Sequence, residues 1–229
     1  MGYRLFIGDQ SFSSWSLRGW LMFEAFHLPA EVVEVGLYSG TMAEDLAPLA
    51  PARLVPAMST PEGAVVFDTL AMAETLAERH PGLWPDDPAA RAFARSITAE
   101  MHSGFTALRS ECPMYLRHAW AGFTPSEAVT ADLARIELLW RTARARHGAP
   151  DSPWLFGRYS LADAFYAPVA LRIAGYGLPV SDEAAAYVAA HLAHPAVIAW
   201  RAAGQAKSYE TLPYQQDLPE APWPGPEEP

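Results

Sequence analysis

The spacing of apolar residues changes once along this chain, close to residue 80. Before that point, short apolar runs at residues 3–7, 31–35 and 65–67 alternate with helical patterns at residues 15–26 and 69–79. Beyond it, apolar residues recur every three or four positions, as they do in successive amphipathic helices. The sequence therefore predicts an α/β unit in the order βαβ then ββα, followed by an all-helical unit.

A proline-rich segment separates the two units. His80-Pro81-Gly82 ends one helical pattern, and Trp84-Pro85-Asp86-Asp87-Pro88 contains too many prolines to continue it. We therefore expect domains at residues 1–80 and 89–212, joined by a linker at residues 81–88. Residues 213–229 contain six prolines and no Lys or Arg, which predicts an extended tail that either lies over the body or is disordered.

Capping patterns predict where the helices of the second unit begin. Apolar residues at helical spacing over residues 93–108 predict one helix that ends before Pro113. Thr124-Pro125-Ser126-Glu127 has the pattern of a capping box with proline at the first helical position. Ser160 and Asp163 have the same spacing at the start of a later helix, and shorter helical patterns follow at residues 182–192 and 195–203.

Composition narrows the classes of function. The chain has 229 residues, 51% of them hydrophobic, and a formal net charge of -10 with no basic tract, so we expect no nucleic-acid or membrane partner. No signal peptide or long apolar run is present, and the one cysteine, Cys112, suits a reducing compartment, so we expect a cytoplasmic protein. The seven histidines lack metal-ligand spacing, so we expect no metal site.

Three short segments carry side chains that could bind a polar ligand. Four serines crowd the junction between the first strand and the first helix, namely Ser11, Ser13, Ser14 and Ser16. One of them must cap the helix, but hydroxyls beside the free amides and partial positive charge of a helix N-terminus can also stabilise an anion. Val55-Pro56 could form a cis peptide that turns its backbone toward this helix. Asp68-Thr69 opens another helix, where it could be a cap or could hold the ammonium and carboxylate of an amino acid.

These segments resemble the glutathione transferase superfamily over residues 3 to about 205. Ser13-Ser14-Trp15-Ser16-Leu17-Arg18 is similar to the serine-rich motif of zeta-class transferases, which include maleylacetoacetate isomerase. Val55-Pro56-Ala57 is similar to the family's cis-proline turn, Asp68-Thr69 to its acid and hydroxyl pair, and residues 160–163 to its C-domain capping box. The chain departs from the pattern at Ala50-Pro51-Ala52-Arg53, where Asn-Pro-x-Gly is common, and at Trp15, where the zeta motif usually has cysteine.

The resemblance implies a thioredoxin-like N-terminal domain followed by an all-helical C-terminal domain, with glutathione and a small electrophile as substrates. It makes Ser13 the first choice for stabilising the glutathione thiolate and Ser14 the second. It implies further glutathione contacts from Ser11, Val55, Pro56, Asp68 and Thr69. The electrophile would then lie against a helix that bears Met101, His102, Phe105 and Arg109, near Pro113, Met114 and Tyr115.

A mechanism follows from the resemblance and from anion stabilisation. A thiol with a pKa near 8.5 is only a few per cent thiolate at neutral pH, and lowering that pKa by about two units requires roughly 2.7 kcal/mol. A hydroxyl donor and a helix N-terminus can each supply about 1 to 2 kcal/mol. Arg109 and Arg117 could meet an acidic electrophile, whereas Arg18 is as well explained by packing. Family members are usually homodimers, and the competing interpretation is a transferase-like scaffold that binds proteins without turnover.

Overall fold

A computed structural model of the chain describes residues 2–207 and 214–226. Its first unit contains one mixed four-stranded sheet in the order β2-β1-β3-β4. β1 is parallel to β2 and antiparallel to β3, and β3 is antiparallel to β4. The elements of this unit are β1 (Tyr3–Ile7), α1 (Ser14–Glu24), β2 (Ala30–Glu34), α2 (Met42–Asp45), a 3-10 turn (Ala47–Leu49), β3 (Ala57–Ser59), β4 (Val65–Phe67) and α3 (Thr69–Ala77). The predicted thioredoxin-like unit is confirmed.

The second unit is helical, as predicted. Its helices are α4 (Pro88–Ser103), α5 (Thr106–Glu111), α6 (Glu127–His147), α7 (Leu161–Tyr176), α8 (Asp182–Leu192) and α9 (Pro195–Gln205). It also contains a short strand, β5 (Ala119–Trp120), which pairs antiparallel with β6 (Glu220–Ala221). Residues 214–226 of the proline-rich tail therefore lie on the body of the protein. The parts of our tail and domain predictions that fall on residues 208–213 and 227–229 lie outside the described residues.

Two sequence predictions about helix boundaries are wrong. The helix expected over residues 93–108 is broken, because α4 ends at Ser103 and Phe105 adopts a left-handed conformation with φ of 54°. A Cβ atom at Gly104 would lie 2.7 Å from the carbonyl oxygen of Glu100, which explains glycine at this break. The next helix begins at Glu127 rather than at Pro125, because the hydroxyl of Ser126 accepts from the amide of Val129 at 3.1 Å and is the N-cap.

Helix α7 of the second unit packs against the first unit. It is buried at all but one of its 16 residues and contacts α1, α4 and α8. The predicted capping box at its start is confirmed, and the Asp163 carboxylate accepts from the amides of Ser160 at 2.9 Å and Leu155 at 3.2 Å. The hydroxyl of Tyr187 also donates to it at 2.9 Å. Burial raises the pKa of Asp163 to about 6 against the effect of these hydrogen bonds.

A buried histidine lies among aromatic rings on the side of α8. The ring of His191 is fully buried, with its centroid 4.6 Å from that of Tyr187 and 5.2 Å from that of Trp154. Neither ring nitrogen has a hydrogen-bond partner in residues 2–207 or 214–226. Burial, with a smaller contribution from His194, lowers the pKa of His191 to about 3. The imidazole is therefore neutral in the folded protein at neutral pH.

We predict that His191→Phe reduces the sensitivity of the fold to acid. The unfolded chain protonates this histidine with an ordinary pKa near 6.5, whereas the folded protein does not, so stability is lost as pH falls from about 6.5 toward 3. Between pH 6.5 and 4.5 the variant should lose up to about 2.7 kcal/mol less unfolding free energy than the wild type. Urea denaturation at both pH values measures this. Exposed His27, changed to Asn, is the control, and equal pH dependence of His191→Phe and wild type would contradict the prediction.

Candidate functional site

Residues of both units line a cleft of about 1150 Å³. The first unit contributes the start of α1, the Val55-Pro56 turn and Asp68, and the second contributes residues of α5 and α7. The three segments that the sequence singled out therefore meet at one site. The following geometry shows which of their side chains are available to a ligand.

Ser13 is the N-cap of α1. Its hydroxyl oxygen accepts from the amide of Ser16 at 3.3 Å, and its hydroxyl hydrogen is donated to the Ser16 hydroxyl oxygen at 2.8 Å. The amide of Gly8 also donates to that Ser16 oxygen at 2.9 Å, so the pair ties the helix start to β1. Ser13 borders the cleft, but its one hydroxyl hydrogen is used within the helix start.

Ser14 has a different set of partners. Its hydroxyl oxygen accepts from Nη2 of Arg172 at 3.2 Å, and both residues line the cleft. No hydrogen bond among the described residues uses the hydroxyl hydrogen of Ser14. Arg172 also donates to the carbonyl oxygens of Cys112 at 2.9 Å and Pro168 at 3.3 Å. Burial lowers the pKa of Arg172 to about 10, so it is a cation at neutral pH.

The Val55-Pro56 peptide bond is cis, as is Ala50-Pro51. Val55 packs into a small apolar cluster that includes Phe6 and Leu49, which holds this turn against the sheet. Pro56 contacts α1 so closely that a Cβ atom at Gly19 would lie 2.7 Å from its Cγ atom. These contacts fix the position of the turn relative to α1, and they place Val55 and Pro56 at the cleft.

Asp68 and Thr69 meet a histidine of the second unit. Asp68 is the N-cap of α3, with a φ of 81°, and its Oδ1 accepts from the amide of Leu70 at 2.8 Å. Its Oδ2 lies 3.1 Å from Nε2 of His102, whose Nδ1 lies 3.3 Å from Oγ1 of Thr69. Asp68 lines the cleft, whereas Thr69 is buried behind it.

Several predicted site residues do not line the cleft. The Ser11 hydroxyl packs against Gly204 of α9, and Met101 and Phe105 belong to the main hydrophobic core. Met101 lies on the buried face of α4, and Phe105 is the buried N-cap of α5. His102 does not line the cleft either, and its Nε2 atom lies 3.1 Å from Oδ2 of Asp68.

Arg109 does reach the cleft, together with Pro113 and Met114. Its guanidinium lies 4.8 Å from the centroid of the Trp15 ring, and that of buried Arg18 lies 4.4 Å from it. Burial lowers the pKa of both arginines. Arg117 donates instead to the carbonyl oxygen of Lys207 at 2.7 Å.

Among the cleft residues that sequence reasoning missed, Arg172, Tyr38 and Tyr214 carry polar groups with partners across the structure. Arg172 is, with Asp163, one of two charged residues in α7, and a charge in so apolar a helix was a signal that could have identified it. Tyr214 stacks on Phe12 with ring centroids 5.0 Å apart and accepts a hydrogen bond from the Tyr38 hydroxyl. Burial, together with this bond, raises the pKa of Tyr38. Neither tyrosine lies in a periodic pattern that could have predicted its place.

Residues 12–79 match the family model of the glutathione S-transferase N-terminal domain. Across both units, a glutathione transferase homolog from Burkholderia with bound glutathione is similar at a TM-score of 0.66 and 22% identity, covering 90% of this chain and 100% of that one. The chain has the glutathione transferase fold. Glutathione transferase Omega 3C from Trametes versicolor is similar at a TM-score of 0.63 and 22% identity, covering 92% of this chain and 91% of that one. Ure2p in complex with glutathione is similar at a TM-score of 0.65 and 17% identity, covering 87% of this chain and 98% of that one. A search of curated proteins found no match.

The described residues contain neither a membrane-spanning helix nor a cluster of metal ligands. None of their helices is long and apolar enough to cross a membrane. None of their His, Cys, Asp and Glu side chains form a group of three or more that could hold a metal ion.

We predict that Cys112 is unreactive in the native protein. Its side chain is fully buried, and burial raises the pKa of the thiol to about 12, so almost no thiolate is present at pH 8. A chromogenic disulfide reagent should therefore release no product from the native wild type at pH 8 and one equivalent in denaturant. Ser14→Cys is the positive control, because that thiol would face the cleft beside Arg172. Fast reaction of the native wild type would contradict the prediction.

Proposed function

We propose that this protein is a glutathione transferase that activates the glutathione thiol with the hydroxyl of Ser14. The observation that carries the proposal is the hydrogen bond from Arg172 to the Ser14 oxygen at the cleft. That bond occupies an acceptor position of Ser14 and leaves its hydrogen free to point into the cleft. Ser13, the first choice from sequence, donates its hydrogen to Ser16.

Three contributions favour a thiolate beside Ser14. The Ser14 hydroxyl donates one hydrogen bond, worth about 1 to 2 kcal/mol. The N-terminus of α1 adds a partial positive charge, worth about 0.3 to 1 kcal/mol. The buried guanidinium of Arg172 adds a full positive charge behind the hydroxyl. Their sum is comparable with the roughly 2.7 kcal/mol needed to lower a thiol pKa by about two units.

The rest of the cleft suits the other parts of glutathione. Val55, in its cis turn with Pro56, would present backbone groups to the cysteinyl residue. Asp68 would hold the γ-glutamyl end, with Thr69 buried behind it. Support comes from the positions of Val55, Pro56 and Asp68 on one cleft with Ser14. The Burkholderia and Ure2p structures of this fold were solved with glutathione. A direct contact from Ser11 has no such support, because its hydroxyl packs against α9.

The reaction would begin with loss of the thiol proton to water. The thiolate then forms a carbon–sulfur bond with an electrophilic carbon. In a conjugation, a leaving group departs with its bonding pair. In an isomerisation, the adduct expels the thiolate again and the electrophile is released as its isomer. We propose a zeta-like activity on a small acidic electrophile, because Arg109 and Arg172 both border the cleft. A cytoplasmic homodimer with a role in detoxification is part of this proposal.

We predict that Ser14→Ala raises the pKa of bound glutathione by about one unit and slows conjugation about tenfold at neutral pH. The reason is the loss of one donor worth about 1.4 kcal/mol to the thiolate. An ultraviolet titration of the bound thiolate, with an aromatic electrophile for rates, measures both effects. Glutathione affinity should change less, since the contacts of Asp68 and Val55 do not involve the sulfur.

Ser13→Ala is the matched control for this experiment. It should destabilise the fold by about 1 kcal/mol through loss of the helix cap, with the pKa of the bound thiol unchanged. If Ser13→Ala shifts that pKa and Ser14→Ala does not, Ser13 is the donor. If neither variant shifts it, serine activation is wrong. Failure of the wild type to bind millimolar glutathione in calorimetry would instead favour the scaffold interpretation.

We predict that Arg109→Gln selectively weakens catalysis with an acidic electrophile. Loss of one charge-assisted contact to a carboxylate corresponds to about 1.5 to 3 kcal/mol, so kcat/KM for a maleyl diacid should fall at least tenfold. The kcat/KM for a neutral aromatic electrophile should change by less than twofold. Equal losses for both electrophiles would show that Arg109 acts only through packing on Trp15.

A further inference from the structure

A short hydrogen-bonded chain joins the two units beside the cleft. It runs from Thr69 of α3 through His102 of α4 to Asp68 at the N-terminus of α3, with heavy-atom separations of 3.3 and 3.1 Å. The side chain of His102 is 17% exposed and that of Asp68 is 49% exposed. The histidine is therefore enclosed, whereas the carboxylate it contacts is open to a ligand.

When His102 is neutral, the hydrogen bonds among Thr69, His102 and Asp68 can have only one arrangement of hydrogens. Burial lowers the pKa of His102, and the charges of Arg18 and Arg109 act in the same direction against the effect of Asp68. A neutral ring has one N–H group and one acceptor nitrogen. Thr69 can only donate its hydroxyl hydrogen to Nδ1, and Nε2–H then donates to Oδ2 of Asp68.

This arrangement fixes what the subsite offers to a ligand. The Asp68 carboxylate is held at both oxygens, by the Leu70 amide on Oδ1 and by His102 on Oδ2, and each oxygen keeps a free acceptor position. The hydroxyl hydrogen of Thr69 is taken by His102, so Thr69 has no side-chain hydrogen left for a carboxylate. The side chains of this subsite therefore present acceptors, which favour an ammonium group.

We propose that His102 is a positioning residue that orients Asp68 to bind the α-ammonium of the γ-glutamyl group. This inference rests on the proposed function, because it takes glutathione as the ligand. It assigns His102 to the glutathione subsite, whereas the family resemblance had placed it with the electrophile. His102 acts through Asp68 and does not itself touch the ligand.

A second contact between α3 and α4 provides a control, because it joins the two units without contacting Asp68. Arg95, two helical turns before His102 on α4, forms a bidentate ion pair with Glu74 of α3, with Nε and Oε1 3.0 Å apart. Neither residue lines the cleft. Arg95→Gln therefore removes a contact between α3 and α4 without changing the partners of Asp68.

The experiment measures the dissociation constants of two ligands for four proteins by calorimetry. The ligands are glutathione and its deamino analogue, in which a glutaryl group replaces the γ-glutamyl group. The proteins are the wild type, His102→Leu, His102→Gln and Arg95→Gln. Leucine removes both hydrogen bonds of the imidazole, whereas glutamine restores a donor and an acceptor.

We expect the wild type to bind glutathione at least tenfold more tightly than the analogue. His102→Leu should weaken glutathione binding about fivefold and leave the binding of the analogue unchanged, so that the preference for the ammonium falls by the same factor. His102→Gln should recover most of that preference. Arg95→Gln should bind both ligands as the wild type does.

Other outcomes overturn the inference in distinguishable ways. If His102→Leu weakens both ligands equally, or if Arg95→Gln reproduces its effect, the histidine serves only to dock the units. If His102→Leu keeps the wild-type preference, Asp68 does not depend on His102. If the wild type binds neither ligand, the proposed function fails, and this inference fails with it.

Discussion

Helix α7 is buried almost from end to end, so its two charged side chains must find all their partners inside the protein. A buried charge without partners costs several kcal/mol. Asp163 finds its partners in the segment before the helix and in Tyr187, and Arg172 finds carbonyl oxygens and the hydroxyl of Ser14. Satisfying these two charges therefore fixes the path of the chain into α7 and the relation of α7 to α1. The cleft lies where that relation brings the two units together.

The cleft differs in charge from the chain as a whole. The formal net charge of the chain is -10. The guanidinium groups of Arg18 and Arg109 nevertheless lie over the ring of Trp15, and that of Arg172 donates to the neighbouring Ser14. Burial lowers the pKa of each guanidinium, and for Arg18 and Arg172 the charges of neighbouring arginines act in the same direction. An anion in the cleft would offset part of the cost of burying these charges by Coulomb attraction. The local field therefore favours anionic groups, although the net charge of the protein repels them at long range.

Sequence patterns predicted the order of strands and helices because a buried face repeats locally along the chain. The same periodicity continued across Gly104 and Phe105, so it could not indicate the break between α4 and α5. The three segments that the family resemblance grouped together do line one cleft. The proposed choice of Ser14 over Ser13 could not be made from the sequence, because it depends on which hydroxyl hydrogen is free. That in turn depends on Arg172, which is 158 positions from Ser14.

The hydrogen bond between Ser13 and Ser16 has a consequence for redox chemistry. These residues have the spacing of the cysteine pair in thioredoxin-type sites, but hydroxyl groups cannot join as a disulfide. The single cysteine of the chain is Cys112, whose burial keeps it protonated, so the protein has no redox-active cysteine pair of its own. Any thiol chemistry at the cleft must therefore come from a diffusible thiol. Oxidants would then affect thiol chemistry at the cleft through the pool of that thiol, because the one cysteine of the protein is buried elsewhere.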